Sequence, residues 1–513
     1  MEIANAFVIQ NEKVIIDENF LSEASFIELS KIIRENKQVE ISEAQKEKII
    51  KSHKAIIKSL KQENKRVYGV NTGFGQNAKV FLSSEENTSL QQNLIEYLDA
   101  ATGEETNYFI SRLTLLLRII NFSRGYSGVS LDLIERLILF FNRDYTPVIP
   151  YEGSLGASGD LIPLAKIGSC LQGKEECYAP FGEGTIKSSE VLQSLGIEPF
   201  VFKGKDALGL VNGTPLMTAL AINNLVTLEN LLEQSIENIA NIYKSQGYQL
   251  SFLSTDIHEV SKPHAGQITV ARKLRALTRL EGRTKHESEG DKGFSEQPMQ
   301  APYSIRCVPQ VLGALEDIIQ FSKGVTATEA YSVNDNPIVS PEDESIFSGG
   351  NFYGGHIAMA MDALKGQIVQ MGSLLDRQIL LLCDDRTNLG LNMNLSKTLG
   401  TENFWDHGLK GLHQYATSLF CELSSSATIS AAHTRSTETH NQDLISLGTH
   451  AAKQVERLLV TLKKITAIHT IISARVQELR SQKLTDKYQK IIKQLETLSI
   501  RQVLAEVEKE LEF

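Results

Sequence analysis

The distribution of proline constrains the fold of this chain more than any other feature of its sequence. All 12 prolines of the 513 residues lie at or before Pro341, and the rest of the chain contains none. Proline breaks a helix interior because it lacks a backbone N–H and its ring clashes with the preceding turn. The proline-free part is rich in Leu, Ile, Ala, Lys and Glu, and most of these residues favour helices. It therefore predicts long helices that pack side by side as a bundle.

A further long helix is predicted to begin at Pro215. Proline suits the first position of a helix, and Thr214 before it is a good N-cap. Leucine and isoleucine then recur at helical spacing up to Ile239. Three earlier segments also show helical patterns or a capping signal, namely Ser42 to about Asn64, Leu90 to Gly103, and residues 107–142.

The first part of the chain has a more mixed pattern. Residues 174–206 are rich in Gly, Ser and Pro and contain short β-like runs such as Phe200-Val201-Phe202. They predict a small hairpin region. Residues 281–296 are charged, contain glycine and predict a mobile loop. We therefore expect a mainly α protein, with a smaller mixed N-terminal region over residues 1–211 and a long-helix bundle over residues 212–513.

Composition limits the partners and the compartment. The net charge is −10, with 42% hydrophobic and 22% charged residues, which argues against nucleic acid or an anionic membrane as a partner. No apolar run approaches the length of a membrane span, and the start shows no secretory pattern. The cysteines lack metal-ligand spacing, so we expect reduced thiols in a cytoplasmic protein and no metal site. They are Cys170, Cys177, Cys307, Cys383 and Cys421.

The chemistry is expected in the loop Gly153-Ser154-Leu155-Gly156-Ala157-Ser158-Gly159-Asp160. In a compressed turn, which glycine permits, the Gly159 nitrogen can attack the Ala157 carbonyl carbon. Loss of two waters, the second from the Ser158 hydroxyl, would leave a five-membered ring with an exocyclic methylene. That group is an electrophile, which no free side chain provides. The alternative is an ordinary turn in which Ser158 or Asp160 caps the helix that begins at Leu161.

Several strings together resemble the aromatic amino-acid ammonia-lyases, the family of histidine, phenylalanine and tyrosine ammonia-lyases. They include the loop above, Val67-Tyr68-Gly69-Val70-Asn71-Thr72-Gly73-Phe74-Gly75, and Asn334-Asp335-Asn336-Pro337. The resemblance implies a helical bundle of the fumarase/histidase type. It also implies that Ala157-Ser158-Gly159 becomes a 4-methylidene-imidazol-5-one without an external cofactor. The expected reaction eliminates ammonia from an aromatic amino acid and yields a trans-arylacrylate.

The same resemblance assigns roles to individual residues. Tyr68 matches the base that removes the β-proton, and Arg306 matches the arginine that holds the substrate carboxylate, a role suited to a guanidinium. Asn212 matches the asparagine that hydrogen-bonds the prosthetic group, and Glu422 matches a glutamate near the substrate amine. The remaining matches are polar or aromatic residues that line the site, namely Gln300, Tyr303, Asn336, Phe352, Asn441 and Gln442. Each of these residues has a structural alternative, such as an ion pair, a turn or core packing.

Substrate preference is expected to depend on Tyr97-Leu98. Histidine-specific members of the family carry Ser-His there, tyrosine-specific members commonly His-Leu, and phenylalanine-specific members Phe-Leu. Leu98 offers no hydrogen bond to an imidazole, which argues against histidine. Lys410 and the string His440-Asn441-Gln442-Asp443 also resemble the phenylalanine-lyase pattern. Phenylalanine or a related aryl-alanine is therefore favoured, with tyrosine second, because the Tyr97 hydroxyl can bond a phenol, and histidine third.

Several alternatives remain open at the level of sequence. A 2,3-aminomutase would keep the same residues and add ammonia back at the β-carbon. A fumarase-like lyase or a catalytically silent helical assembly protein would need no internal ring. The resemblance implies a homotetramer whose active sites draw loops from three subunits, with the loops around Tyr68 and residues 281–303 as lids.

Overall fold

The computed structural model describes residues 13–23, 26–61, 66–280, 300–398 and 405–511. The chain forms two compact units, each assembled from separate stretches. Unit 1 comprises residues 1–223, 324–361 and 430–453, and unit 2 comprises residues 224–323, 362–429 and 454–513. The division of the chain at residues 211 and 212 stays a prediction.

The described residues are mainly helical. The predicted N-termini are confirmed at Ser42, whose side chain accepts a hydrogen bond from the Gln45 backbone N–H, and at Pro215. The long helices expected after Pro341 are present as well. In chain order the α-helices are α1 Glu18–Glu23, α2 Phe26–Arg34, α3 Glu43–Leu60, α4 Ser84–Leu98, α5 Tyr108–Ser123, α6 Leu131–Asn142, α7 Leu161–Leu171, α8 Ser188–Leu195, α9 Asp206–Val211, α10 Pro215–Gln246, α11 Ala265–Thr278, α12 Tyr303–Arg306, α13 Val308–Ala330, α14 Gly355–Cys383, α15 Lys410–Ser426, α16 Gly448–Leu479, α17 Asp486–Thr497 and α18 Ile500–Glu510.

Three small sheets belong to unit 1. The first is a parallel pair, β1 with β2, and the last is an antiparallel pair, β6 with β7. The middle sheet has the order β3-β4-β5 and contains the predicted hairpin, in which Cys177 is opposite Ile186. Residues 200–202 are not a strand, so that part of the prediction was wrong. The strands are β1 Lys13–Ile16, β2 Gln38–Ile41, β3 Thr146–Pro147, β4 Glu176–Tyr178, β5 Thr185–Lys187, β6 Ile338–Val339 and β7 Ile346–Phe347.

The continuous helical pattern predicted over residues 107–142 is interrupted. Helix α5 ends at Ser123 and α6 begins at Leu131, because Gly125 and Gly128 adopt φ values of +79° and +75°. A side chain at Gly125 would place its Cβ 2.6 Å from the Cβ of Lys48, so the turn needs glycine for space as well as for conformation. The apolar spacing continues across the break, and for this reason the pattern alone did not reveal it.

Helix α5 forms the centre of unit 1. All of its residues from Ile110 to Ser123 are buried, including Arg112 and Arg118. A buried cation requires polar partners. Arg112 forms an ion pair of 2.7 Å with Asp144, and Arg118 binds backbone carbonyls beneath the candidate site described below.

The second unit contains most of α10, α13, α14 and α16, together with α11, α12, α15, α17 and α18. Its core is formed by Leu, Ile and Ala at helical spacing, as the proline-free pattern predicts. None of the helices in the described ranges is long and apolar enough to cross a membrane. The loop predicted over residues 281–296 lies outside the described residues.

Candidate active site

The turn Ala157-Ser158-Gly159 lies against the backbone of Gly213. Gly159 has a φ of +74°, and its backbone forms a parallel bridge with Gly213. The next amide, that of Asp160, donates a 2.7 Å hydrogen bond to the Gly213 carbonyl oxygen. A Cβ at Gly159 would lie 1.9 Å from that same oxygen. The position therefore requires glycine for both its backbone conformation and its close approach to a second backbone.

Two amide side chains hold Ser158 from different parts of unit 1. The Asn212 side-chain nitrogen donates to the Ser158 carbonyl oxygen at 2.9 Å. The Gln442 side-chain nitrogen lies 3.0 Å from the Ser158 hydroxyl oxygen, to which it donates. Both oxygens of Ser158 are thus bound by donors, and Gly159 has the left-handed backbone conformation that glycine permits. These residues fit a 4-methylidene-imidazol-5-one at this position.

The buried carboxylate of Asp160 connects the end of the turn to neighbouring segments through hydrogen bonds. It accepts hydrogen bonds from the Ser154 hydroxyl at 2.6 Å, the Thr449 hydroxyl at 2.5 Å and the Met217 backbone N–H at 3.0 Å. Burial raises its pKa, and these hydrogen bonds act in the opposite direction. Asp160 therefore binds the start of α10. Asp160 is the N-cap residue of α7, as the alternative interpretation allowed, but no side-chain hydrogen bond caps that helix.

Arg118 supports Asn212 from the interior. Its guanidinium donates to the carbonyl oxygen of Asn212 at 2.8 Å, to the carbonyl oxygen of Gly209 and to the Asn334 side chain at 2.9 Å. Complete burial lowers the pKa of Arg118 to about 10, while Asp335 and Asp160 favour the charged form. Arg118 therefore holds the Asn212 backbone in place, while the Asn212 side chain contacts the Ser158 carbonyl oxygen.

The turn forms part of the wall of a cavity of about 880 Å³ within unit 1. A cavity of this size can enclose a small amino acid. The structure brings eleven of the predicted site residues together around it. They are Tyr68, Tyr97, Leu98, Ala157, Ser158, Gly159, Asn212, Asn336, Phe352, Asn441 and Gln442.

The cavity also has several apolar lining residues outside the turn, and of these the sequence analysis had assigned only Leu98 and Phe352 to the site. Leu94 and Leu98 come from α4, Leu208 from α9, and Phe74 from the loop after Tyr68. Residues 153–162 contribute further apolar side chains, among them Leu155, to the same cavity. The helical spacing of Leu94 and Leu98 places both on one face of α4 and was visible in the sequence. The contributions of Phe74, Leu155 and Leu208 depend on long-range packing.

Tyr68 is partly buried in its glycine-rich loop. The Gly75 backbone N–H donates to the Tyr68 hydroxyl oxygen at 3.2 Å, and the Phe74 ring lies edge-on with its centroid 6.5 Å from that of Tyr68. Burial raises the pKa of Tyr68, the Gly75 hydrogen bond lowers it, and the negative charge of Glu438 raises it. Tyr68 thus lines the cavity, and its hydroxyl oxygen already accepts one backbone hydrogen bond.

Glu438 is a carboxylate in the cavity wall that the sequence analysis missed. It accepts a 2.6 Å hydrogen bond from the Asn441 side chain, and its charge acts on both Tyr68 and Tyr97. Tyr97 is 57% exposed, but partial desolvation by its surroundings raises its pKa to about 12, and Glu438 and Tyr68 contribute in the same direction. Two phenols and a carboxylate thus line the same cavity and lie close enough for their charges to interact.

The backbone explains how Glu438 reaches this position. Glu438, Thr439 and His440 have φ values of +50°, +51° and +67°. Three consecutive non-glycine residues in the left-handed region are costly. No residue type in the string predicts this conformation. The only available signal was the proximity of Glu438 to the predicted Asn441 and Gln442 in the sequence.

Five predicted site residues belong to unit 2. Tyr303 and Arg306 are on the short helix α12, where the Tyr303 side chain is 71% exposed. The Arg306 guanidinium carbon lies 4.6 Å from the centroid of the Tyr303 ring. Gln300 precedes this helix and is exposed, as are Lys410 and Glu422 on α15.

The other expectations for the site concern cofactors. Among the residues that the structure describes, no group of His, Cys, Asp and Glu side chains is arranged to hold a metal ion. All five cysteines lie within these ranges as free thiols. Cys170, Cys177 and Cys383 are buried, as expected of small apolar residues.

Comparison with known proteins identifies the family. Residues 25–497 match the family described as aromatic amino acid lyase. The chain belongs to this family. It is therefore an enzyme, a carbon–nitrogen lyase, and the cavity with its Ala157-Ser158-Gly159 turn is the candidate active site.

Individual relatives are similar over most of their length. A hal-like protein of Dictyostelium discoideum is 34% identical over 442 residues, which is 84% of this chain and 82% of the relative. A histidine ammonia-lyase of Caldanaerobacter subterraneus is 31% identical over 91% of this chain and 89% of its own. The crystal structure of tyrosine aminomutase from Streptomyces globisporus has a TM-score of 0.87 at 27% identity, with 98% and 97% of the two chains covered. The expected mainly α fold of the histidase type is thereby confirmed.

Proposed function

We propose that this enzyme eliminates ammonia from an aromatic L-amino acid, with phenylalanine or a related aryl-alanine as the favoured substrate. One observation carries the proposal. The Ala157-Ser158-Gly159 turn, bonded by Asn212 and Gln442, lines the same cavity as Tyr68. Condensed into a 4-methylidene-imidazol-5-one, the turn would supply an electrophilic carbon to which an amine can add.

The residues around the turn suit the remaining tasks. Tyr68 accepts the β-proton of the substrate, and the Gly75 N–H stabilises the phenolate oxygen that does so. The Glu438 carboxylate, next to Tyr68 in the wall, suits the substrate ammonium. Asn212 donates to the Ser158 carbonyl oxygen, where it would stabilise developing negative charge. The role of Glu422 stays a prediction.

The apolar lining of the cavity favours a substrate with an aryl ring over one with an imidazole. Leu94, Leu98 and Leu208 line the same cavity as Tyr97 and offer no hydrogen bond. A site that binds a polar ring tightly needs a buried partner for it. The names of several relatives argue for histidine, so histidine remains the third candidate. Tyrosine remains the second, because the Tyr97 hydroxyl is available to a phenol.

An aromatic 2,3-aminomutase is the second candidate function. The likeness to tyrosine aminomutase supports it, and the same residues would serve both reactions. The distinction is in the product, because an aminomutase returns ammonia to the β-carbon. Chromatography of the products from phenylalanine would detect either an arylacrylate or a β-amino acid.

We further propose that the active enzyme is a homotetramer and that α12 and α15 complete active sites within the assembly. Arg306 would bind the substrate carboxylate, and Gln300, Tyr303 and Lys410 would line the site. A monomeric variant should accordingly be inactive.

The decisive test combines intact mass with steady-state kinetics. The purified protein should weigh two waters less than its sequence predicts. Rates of arylacrylate formation from phenylalanine, tyrosine and histidine should follow that order. An unmodified mass in an active protein would exclude the internal electrophile, and a clear preference for histidine would reverse the ranking of substrates.

A further inference from the structure

A chain of buried hydrogen bonds in unit 2 ends on the short helix α12. The Gln378 side-chain nitrogen donates to the Ser304 carbonyl oxygen at 2.7 Å. The Gln378 oxygen and the His469 Nε2 are 2.9 Å apart, and the His469 Nδ1 is 3.3 Å from the Asn238 side-chain nitrogen. The Asn238 oxygen accepts from the Tyr488 hydroxyl at 2.9 Å. Gln378, His469, Asn238 and Tyr488 are all fully buried.

The donor and acceptor of every hydrogen bond in this series follow from its last acceptor, on α12. The Ser304 oxygen is a carbonyl and only accepts, so the Gln378 amide nitrogen must face it and the Gln378 oxygen must face His469. His469 therefore carries its hydrogen on Nε2, and its Nδ1 accepts from Asn238. All donors point towards α12. Burial lowers the pKa of His469 to about 3, so the ring is neutral and keeps this arrangement at ordinary pH.

A second buried side chain supports the same helix. The Tyr243 hydroxyl donates to the Ile305 carbonyl oxygen at 2.5 Å, and the Ile305 side chain is fully buried. Helix α12 has only four residues, so it cannot be stable through its own backbone hydrogen bonds. Its two interior carbonyls, those of Ser304 and Ile305, are thus each bound by a side chain from the bundle.

We propose that Gln378 and Tyr243 are positioning residues that fix the direction of Tyr303 and Arg306. These two side chains flank the bound carbonyls on α12, and Arg306 lies over the ring of Tyr303. A hydrogen-bond chain in which each member is satisfied rigidifies its end point. The inference rests on the proposed function, in which Arg306 binds the substrate carboxylate, but the rigidity of α12 can be measured without any substrate.

The test uses matched variants of the full-length protein. Gln378→Met and Tyr243→Phe each remove one donor to α12 and keep most of the side-chain volume. Gln267→Met is the control, because the Gln267 nitrogen forms a 2.9 Å bond with the Nδ1 of His258 in the same unit, and both residues are buried. It removes a comparable glutamine–histidine hydrogen bond that does not lead to α12.

Hydrogen exchange followed by mass spectrometry gives the first readout. The amides of Ile305, Arg306 and Cys307 are bonded to the carbonyls of Pro302 and Tyr303. Gln378→Met and Tyr243→Phe should speed their exchange roughly tenfold, whereas Gln267→Met should leave it unchanged. Equal exchange in Gln378→Met and Gln267→Met would overturn the proposal.

Kinetics give the second readout. If Arg306 binds the substrate carboxylate, kcat/KM should fall roughly tenfold to a hundredfold in the two α12 variants, mainly through KM, because misplaced binding groups weaken the substrate's position. The control should retain its KM. Altered exchange together with wild-type KM would overturn the positioning role. A wild-type protein inactive on all aromatic amino acids would refute the proposed function, while the exchange data would still report on α12.

Discussion

Replacement of Gly159 by alanine tests the geometry on which the candidate site depends. The new methyl group would lie 1.9 Å from the Gly213 carbonyl oxygen, 2.3 Å from its carbon and 2.6 Å from its nitrogen. All three contacts are with backbone, so no side-chain rotation relieves them. The residue would also have to keep a φ of +74°. We therefore expect Gly159→Ala to separate the turn from Gly213.

Three contributions determine how much the free energy of unfolding falls in Gly159→Ala. A non-glycine residue in the left-handed region costs about 1–2 kcal/mol. Overpacking against a rigid neighbour costs about 1–3 kcal/mol. Separation of the two segments also breaks the hydrogen bond from the Asp160 amide to the Gly213 oxygen, worth about 1 kcal/mol. The free energy of unfolding should thus fall by about 3–6 kcal/mol.

Gly196→Ala is the matched control. Gly196 has a φ of +66° at the end of α8, and a Cβ there would have no neighbour within 4 Å. It should lose only the conformational contribution, about 1–2 kcal/mol. Urea unfolding of both variants, followed by circular dichroism, compares the two losses, and intact mass reports on the turn. If Gly159→Ala is no less stable than Gly196→Ala, the close approach to Gly213 does not constrain the site.

Four further predictions concern the chemistry and the core. Ser158→Ala should lack the two-water loss of mass and lose activity, because the exocyclic methylene is the Ser158 side-chain carbon that remains when its hydroxyl departs as water; full activity would exclude the internal electrophile. Glu438→Gln should move the alkaline rise of kcat/KM to lower pH, because burial and then Glu438 raise the pKa of Tyr68 and a base acts only when deprotonated; an unmoved rise would separate Glu438 from Tyr68. Tyr97→Phe should lower the rate on tyrosine more than the rate on phenylalanine in parallel assays, and an equal change would exclude a hydrogen bond to the phenol. Arg112→Met leaves the carboxylate of Asp144 buried without its ion-pair partner and should cost about 3–5 kcal/mol in urea unfolding, whereas Arg386→Met, at an exposed pair, should leave the midpoint unchanged.

The sequence allowed prediction of those features that short strings encode. Thr214-Pro215 predicted the start of α10, and the absence of proline after Pro341 predicted the long helices that follow. The break between α5 and α6 was missed because the apolar pattern continues through it. The periodicity of apolar residues indicates which face of a helix is buried. It does not reveal a turn at two glycines, here Gly125 and Gly128, between two helices with the same apolar spacing.

At the candidate site too, the residues in distinctive strings were predicted and those placed by tertiary packing were not. The residues that contact Ser158, namely Asn212 and Gln442, were predicted because each lies in a distinctive string. Glu438 was missed because its place in the cavity depends on left-handed backbone at three consecutive non-glycine residues. Such a conformation is imposed by tertiary contacts and has no signature in residue type. The apolar contributions of Leu155 and Leu208 escaped prediction for the related reason that packing brings distant segments together.

The distribution of the site residues makes two of its properties separately measurable. The reacting turn, the donors to Ser158, and Tyr68 all belong to unit 1, whereas Arg306 and its supports Gln378 and Tyr243 belong to unit 2. Under the proposed function, formation of the electrophile depends on the geometry of the turn and is read from mass. Under the same proposal, orientation of the substrate depends on α12 and is read from KM. Gln378→Met should therefore weigh two waters less than its sequence and bind substrate poorly, whereas Ser158→Ala should lack this two-water loss and keep the α12 amides protected as in the wild type. A dehydrated mass that depended on Gln378 would show that the two properties are coupled and would contradict this separation.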